Sequence, residues 1–192
     1  MSRVRTPRVN WAGRAVPLDL DAPCGRHLRY RDLIQCGETC QRLAAAGLVD
    51  NLPRQTKTLP AMQTLCHELL DPVIDQFGAL DLTYAFGSPA LTREIHKAIA
   101  PELDQHAGLE VKNDGRPVCS RGGFAVDFRV PGMDSTALAN WIARNVRFDR
   151  MYLYGTSRPV HVSIGPQQSG MVVQMTPLPS GRMVPRRIKL DV

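Results

Sequence analysis

The sequence contains no long hydrophobic run, and no segment approaches the roughly 18 apolar residues that a membrane-spanning helix needs. Its beginning, MSRVRTPRVNWAGRAV, carries charge but lacks the apolar centre of a secretory signal. Cysteine is scarce, with five unevenly spaced residues, an odd number that does not suit a disulfide framework. These absences exclude a membrane partner and predict a cytoplasmic protein with free thiols.

Composition is that of a globular protein, with 43% hydrophobic and 22% charged residues in a chain of 192. The net charge of +6 is concentrated at the two ends, residues 1–15 and 176–192, because the segment between them is nearly neutral. Neither end has a dense Lys/Arg block or interleaved aromatic residues. Two interpretations stay open: the ends keep the protein soluble, or they contact a nucleic acid or a protein partner.

Helical and strand patterns follow one another along the chain. Helical patterns cover 30–46, 61–77, 88–100 and a segment that begins at Asp134 or Ser135. Strand patterns cover 80–86, 124–130, 151–154, 160–164 and 171–175, and residues 101–122 are typical of a long loop. Pro72 should kink the second helix or divide it after Leu70. Helices followed by strands that can pair antiparallel predict an α+β fold.

Three residues stand out on chemical grounds. Asp127 lies within an apolar strand, FAVDF, where a carboxylate is costly unless it is paired, hydrogen-bonded or bound to a metal. His161 is flanked by valines in PVHVSIG, and His106 lies in PELDQHAG at the start of the long loop. One Asp and two His form a ligand set that suits Zn²⁺ with an open position. The alternatives are a salt bridge from Asp127 to Arg121 or Arg129 and a core position for His161.

The order of several segments is similar to that of the M15 family of zinc D-Ala-D-Ala carboxypeptidases and related murein peptidases. These segments are LLDPVIDQFGALDLTYAFGSPAL, SPALTREI, GGFAVDFRVPGMDSTALANWI, FDRMYLY and PVHVS. The resemblance covers about residues 60–165 and implies the Hedgehog/DD-peptidase fold, a small antiparallel sheet with helices packed on one side. It divides the chain into a basic arm with a helical extension (1–59), an M15-like domain (60–176) and a basic tail (177–192).

The resemblance also implies a zinc site, and two alignments of its first ligand stay open. The family pattern His-x-x-Gly-x-Ala-x-Asp matches Gly123, Ala125 and Asp127 but has Ser120 at the histidine position. In the second alignment His106, within Asp104-Gln105-His106, matches a family Ser-Gln-His segment, and 107–122 is an added loop. We favour the second because it explains His106 and the loop together. Asp127 and His161 are ligands in both.

Two departures from the family pattern concern catalysis. Gly87 stands where the family has an arginine that holds the substrate carboxylate. The family's carboxylate general base has no counterpart, because residues 150–160 contain neither Asp nor Glu. Tyr154 falls near that place and Arg158 follows it, so these two are the candidate catalytic residues.

Three neighbouring residues are candidates for substrate contact. Arg121, with Arg158, is expected to supply a replacement anion site. Ser120 adjoins it, and Cys119 is either a soft ligand, a nucleophile or a small residue packed beside the strand.

The sequence therefore predicts a zinc-binding, M15-like hydrolase for a small peptide-like or anionic substrate other than D-Ala-D-Ala. The alternatives are a catalytically degenerate M15-like module that binds nucleic acid or protein through its basic ends, and a phage-type murein endopeptidase.

Overall fold

The computed structural model describes residues 11–95 and 101–190. Its α-helices are α1 (Tyr30–Ile34), α2 (Glu38–Ala45), α3 (Thr58–Leu65), α4 (Asp71–Phe77), α5 (Pro89–Glu94) and α6 (Ser135–Asn145). A π-helical turn, Cys66–Leu70, joins α3 to α4, and two 3-10 turns, Pro101–Leu103 and Gln105–Ala107, begin the long loop. The part of the third predicted helix after Ile95, residues 96–100, lies outside the described residues.

The strands form one six-stranded sheet. They are β1 (Asp81–Tyr84), β2 (Phe124–Arg129), β3 (Arg150–Leu153), β4 (Val160–Ile164), β5 (Met171–Pro177) and β6 (Met183–Ile188), in the spatial order β1-β2-β4-β3-β5-β6. All neighbours pair antiparallel except β3 and β5, which pair parallel. The predicted α+β class is confirmed.

The first two predicted helices are not continuous α-helices. The helix predicted over 30–46 is two helices, because Gly37 between them has a φ of +85°, outside the helical region. A Cβ at this position would overlap the carbonyl oxygen of Thr83, so the interruption also lets α2 begin close against β1. The second predicted helix is not divided at Pro72, because Leu70 and Asp71 are both helical; a π-helical turn over Cys66–Leu70 leads instead into α4, which has the proline in its first turn.

The N-terminal extension shares the main buried core. Trp11, Tyr30 and Leu33 belong to the same cluster of buried side chains as Met62 and Phe124. The segment predicted to be a basic tail contains β6, which pairs along the full length of β5. The N-terminal arm up to residue 10 and the last two residues lie outside the described part of the chain. Within the described ranges there is no helix long and apolar enough to cross a membrane.

The two faces of the central strands differ. Phe124, Val126 and Phe128 of β2 belong to the buried cluster that also contains Met62 of α3 and Leu138 of α6. Because strand side chains alternate, residues 125, 127 and 129 project from the opposite face. The Gln105–Ala107 turn of the long loop contacts β2. The sheet thus separates the helical core from the face that carries Asp127.

Candidate metal centre

Four side chains form a row across four neighbouring strands. Tyr84 of β1 pairs with Asp127 of β2, Asp127 with His161 of β4, and His161 with Tyr152 of β3. Directly paired residues project from the same face of a sheet, so Asp127 and His161 lie side by side in the middle of the row. Tyr84 flanks Asp127 at one end of the row, and Tyr152 flanks His161 at the other. The Tyr152 ring meets the His161 ring edge-on, with centroids 5.2 Å apart.

His106 is brought to this row by the long loop. Asp104 caps the short turn, because its Oδ1 accepts a hydrogen bond from the His106 backbone N–H at 3.0 Å. The imidazole Nδ1 donates to the carbonyl of Ala85 at 2.7 Å, and the Tyr84 ring lies against the imidazole with centroids 4.2 Å apart. In the neutral imidazole this hydrogen bond sets the tautomer whose Nε2, directed at the row, has a lone pair for a metal ion.

Three donor atoms converge at this point. His106 Nε2 lies 3.2 Å from both His161 Nδ1 and Asp127 Oδ1, and His161 Nδ1 lies 2.7 Å from Asp127 Oδ1. Donor atoms of one tetrahedral zinc ion, each about 2.0–2.1 Å from the metal, are about 3.3 Å apart. The spacing therefore suits a single metal ion. Within the described residues this is the one group of three or more His, Cys, Asp or Glu side chains close enough to hold one.

The electrostatics of the three residues favour a cation between them. Burial disfavours the charged imidazolium of His106, but the Asp127 carboxylate more than offsets this and raises the pKa of His106 to about 9. Burial likewise opposes ionisation of Asp127, yet the two histidines hold the pKa of its carboxyl well below the usual range. In the metal-free protein the site thus holds a proton, which a metal ion can replace.

The structure brings three of the candidate ligands together and leaves Ser120 apart from them. Asp127 bonds to the two histidines, whereas Arg129, its proposed salt-bridge partner, pairs with Asp81. His106 is the histidine that joins Asp127 and His161, as the second alignment expects. Ser120, the first-ligand position of the other alignment, is an exposed residue whose backbone N–H donates to the carbonyl of Glu102.

Cys119 does not belong to the metal-binding group and is not a thiolate. Its side chain is 2% exposed, and burial raises the pKa of its thiol. An inaccessible protonated thiol is a poor nucleophile. Of the three interpretations of Cys119, the packed small residue agrees with the structure.

The two candidate catalytic residues lie around the β3–β4 turn. Tyr154 follows β3 and is partly exposed, and burial and the nearby Asp127 raise the pKa of its phenol above its ordinary value. A phenol with a raised pKa is protonated at neutral pH, so Tyr154 is a hydrogen-bond donor and a weak base there. Arg158 is exposed in the turn, where its carbonyl accepts a hydrogen bond from the Ser135 hydroxyl.

Sequence reasoning missed the two tyrosines of the row. A signal was present for Tyr152, because it lies two residues before Tyr154 in a strand pattern and so shares its face. For Tyr84 no sequence signal was present, because its role depends on a tertiary contact. Its hydroxyl lies where the Cβ of a side chain at Gly87 would be. The tyrosine therefore fills the space that a side chain at Gly87 would need.

A cleft of about 770 Å³ opens beside Asp127. It runs along β1 between this strand and α2, and its lining includes Tyr84, Leu91 and Arg129. Small-molecule sites typically measure about 300–1,000 Å³, so the cleft has room for a substrate next to the candidate metal centre.

Comparison with known proteins does not assign the chain to a class or to a particular protein. No protein-family model, no curated protein and no solved structure matches it. The function therefore has to be inferred from the site itself.

Proposed function

We propose that this protein is a zinc-binding, M15-peptidase-like hydrolase whose metal ligands are His106, Asp127 and His161. The observation that carries the proposal is the convergence of two imidazole nitrogens and one carboxylate oxygen within 3.2 Å of one another. They come from a loop and two strands that are far apart in the sequence. The order of the ligands and the sheet that positions them support the resemblance to M15 peptidases and their Hedgehog/DD-peptidase fold.

The donor set fits zinc in a catalytic rather than a structural site. Two imidazoles and one carboxylate suit Zn²⁺, and three protein ligands leave the fourth position for a substrate or water. A zinc ion held there would polarise a scissile carbonyl and lower the pKa of a bound water. His106 is pre-oriented by the Ala85 carbonyl, which is the kind of outer partner that tunes metal ligands.

The surrounding residues argue for a substrate other than D-Ala-D-Ala. The space above Gly87 is filled by the Tyr84 hydroxyl, so nothing at this position can hold a terminal carboxylate as the family arginine does. Tyr154 is placed near Asp127 as a hydrogen-bond donor. Asp127 is the one of the three metal ligands that lines the cleft along β1, and this cleft is the expected place for the part of the substrate that extends from the reacting bond.

Metal analysis of the purified protein tests the proposal. We expect one zinc per chain after reconstitution and dialysis, and less than about one tenth of this in Asp127→Ala, His161→Ala and His106→Ala, because each loses one of three ligands. His67→Gln is the matched control: it removes a half-exposed histidine whose partner is Asp71. Wild-type protein without zinc, or zinc unaffected by Asp127→Ala, would refute the proposal.

Hydrolysis is tested separately. Zinc-loaded wild-type protein and Asp127→Ala are compared on a panel of peptides and esters that includes D-Ala-D-Ala and purified murein. We expect turnover only by the wild-type protein and little on D-Ala-D-Ala. Zinc binding without turnover of any member would retain the metal site and contradict the hydrolase.

A further inference from the structure

A second polar group adjoins the metal centre on the β3 side. Arg121 donates from Nη1 to the carbonyl of Leu103 at 2.9 Å and lies 3.5 Å from the Tyr152 hydroxyl. Leu103 lies three residues before His106, and Tyr152 packs edge-on against His161. The guanidinium is therefore held by the loop segment that precedes His106 and by the tyrosine that packs against His161.

Among the described residues, the Arg121 guanidinium has no carboxylate partner, in contrast to three other arginines. Arg116 pairs with Asp114, Arg129 with Asp81, and Arg31 with Asp21. Within residues 11–95 and 101–190, no carboxylate lies within 4.0 Å of the Arg121 side-chain nitrogens. Since a guanidinium has five N–H donors and Nη1 makes both of these contacts, donors remain for a ligand.

The charge around Arg121 is positive once a divalent metal is bound. Two neutral imidazoles and one carboxylate leave a divalent ion with a net charge of about +1. The nearby Asp104 is buried, and its carboxylate caps the turn that carries His106. A guanidinium and a phenol hydroxyl beside such a centre form the donor arrangement that recognises an oxyanion.

We infer that Arg121 and Tyr152 form an anion subsite next to the metal centre, which takes the carboxylate or phosphate group of the substrate. This inference deepens the proposed function and rests on it, because it places the anionic group of the substrate beside the reacting bond. Arg121 replaces, from the opposite side of the row, the anchor that is absent at Gly87. The subsite is specificity-determining and leaves the three metal ligands untouched.

Binding of inorganic phosphate and of acetate to the zinc-loaded protein, measured by isothermal titration calorimetry, tests the subsite. In Arg121→Gln we expect phosphate affinity to fall about tenfold or more, because a charge-assisted hydrogen bond is lost, and in Tyr152→Phe to fall several-fold. The comparison of the two anions distinguishes a phosphate from a carboxylate preference. Zinc content is measured in every variant and should equal that of the wild-type protein.

Arg116→Gln is the matched control, since it removes the same charge from an exposed arginine of the same loop. Equal phosphate affinity in Arg121→Gln and wild-type protein would overturn the subsite. Zinc binding by both proteins would still support the proposed function. The subsite is also overturned if Arg116→Gln or Arg158→Gln weakens phosphate binding as much as Arg121→Gln does. If no zinc binds, the proposed function fails, and phosphate binding is then measured on the metal-free protein. Phosphate binding that is weakened by Arg121→Gln would support the subsite. Absence of phosphate binding would overturn it.

Discussion

His106 shows how a single residue acquires its properties from its surroundings. It is almost fully buried, and its two ring nitrogens are engaged by the Ala85 carbonyl and by the Asp127–His161 pair. A lone histidine in a loop carries no such information in the sequence. The chemistry of this residue follows from one hydrogen bond and one neighbouring carboxylate.

The metal-free protein should lose stability as the pH rises from about 6.5 to 9. The pKa of His106 in the folded protein is raised to about 9, because its imidazolium forms an ion pair with Asp127. This ion pair stabilises the fold fully below the pKa of histidine in the unfolded chain. The stabilisation is lost as the pH rises through the pKa of His106 in the folded protein. We expect the free energy of unfolding to fall by roughly 1–3 kcal/mol across this window, since one pKa unit corresponds to about 1.4 kcal/mol. Urea unfolding in the presence of a chelator at several pH values measures it.

His106→Gln provides the control for this pH dependence. The variant keeps a polar side chain but has no titrating group, so its unfolding free energy should change much less over the same window. The pKa of Asp127 is lowered in the folded protein, so its carboxylate stabilises the fold above the ordinary pKa of an aspartate. This second contribution to the unfolding free energy is lost only in acid, outside this pH window. Parallel pH profiles for the variant and the wild-type protein would contradict the assignment of the ion pair.

At the scale of elements, the start of β2 determines whether the ligands meet. Gly123 has a φ of +77°, and a Cβ there would overlap the carbonyl oxygen of Ile164, which belongs to the pairing partner of Phe124. Any side chain must therefore push β2 away from β4. The same pairing places Asp127 opposite His161, three residues further along.

Gly123→Ala should destabilise the protein and weaken zinc binding together. We expect a loss of about 2–4 kcal/mol in unfolding free energy, because positive-φ strain and a clash with backbone both contribute. Thermal unfolding and zinc affinity measure the two effects. Gly115→Ala is the control: Gly115 has a φ of +80° but no atom within 4 Å of the added Cβ, so it should lose only about 1 kcal/mol and keep its zinc. Equal losses in the two variants would contradict the role of the β2–β4 contact.

At the scale of the whole molecule, the five cysteines report on global unfolding. All five are buried and free, in agreement with the interpretation that excluded a disulfide framework. Burial raises the pKa of the Cys36 thiol to about 12 and also raises the pKa of Cys119 and Cys40. Burial keeps all five thiols from reagents in the folded protein.

A thiol reagent such as DTNB should therefore react with about five groups per chain in denaturant and with almost none in the native protein at pH 8. The native reaction should proceed only at the rate at which the fold opens. Rapid modification of one thiol in the native protein, mapped to Cys119 by mass spectrometry, would revive its interpretation as a nucleophile.

Local features were readable from the sequence because their causes are local. The strand patterns around Asp127 and His161 predicted the two strands that carry them, and Pro72 predicted an irregularity within the second helix. The order of helices and strands predicted the α+β class. The strand β6, by contrast, has a proline and two exposed arginines, and its strand state depends on pairing with β5.

The sequence alone identified two residues that are costly to leave unpaired in a strand. They are Asp127 in FAVDF and His161 in PVHVSIG. Only the tertiary structure decided that they face each other, that His106 rather than Ser120 joins them, and that Tyr84 occupies the space over Gly87. The reason is physical: residues 21 to 55 positions apart meet through strand register and loop docking. These depend on the packing of the whole sheet, and no short segment encodes them.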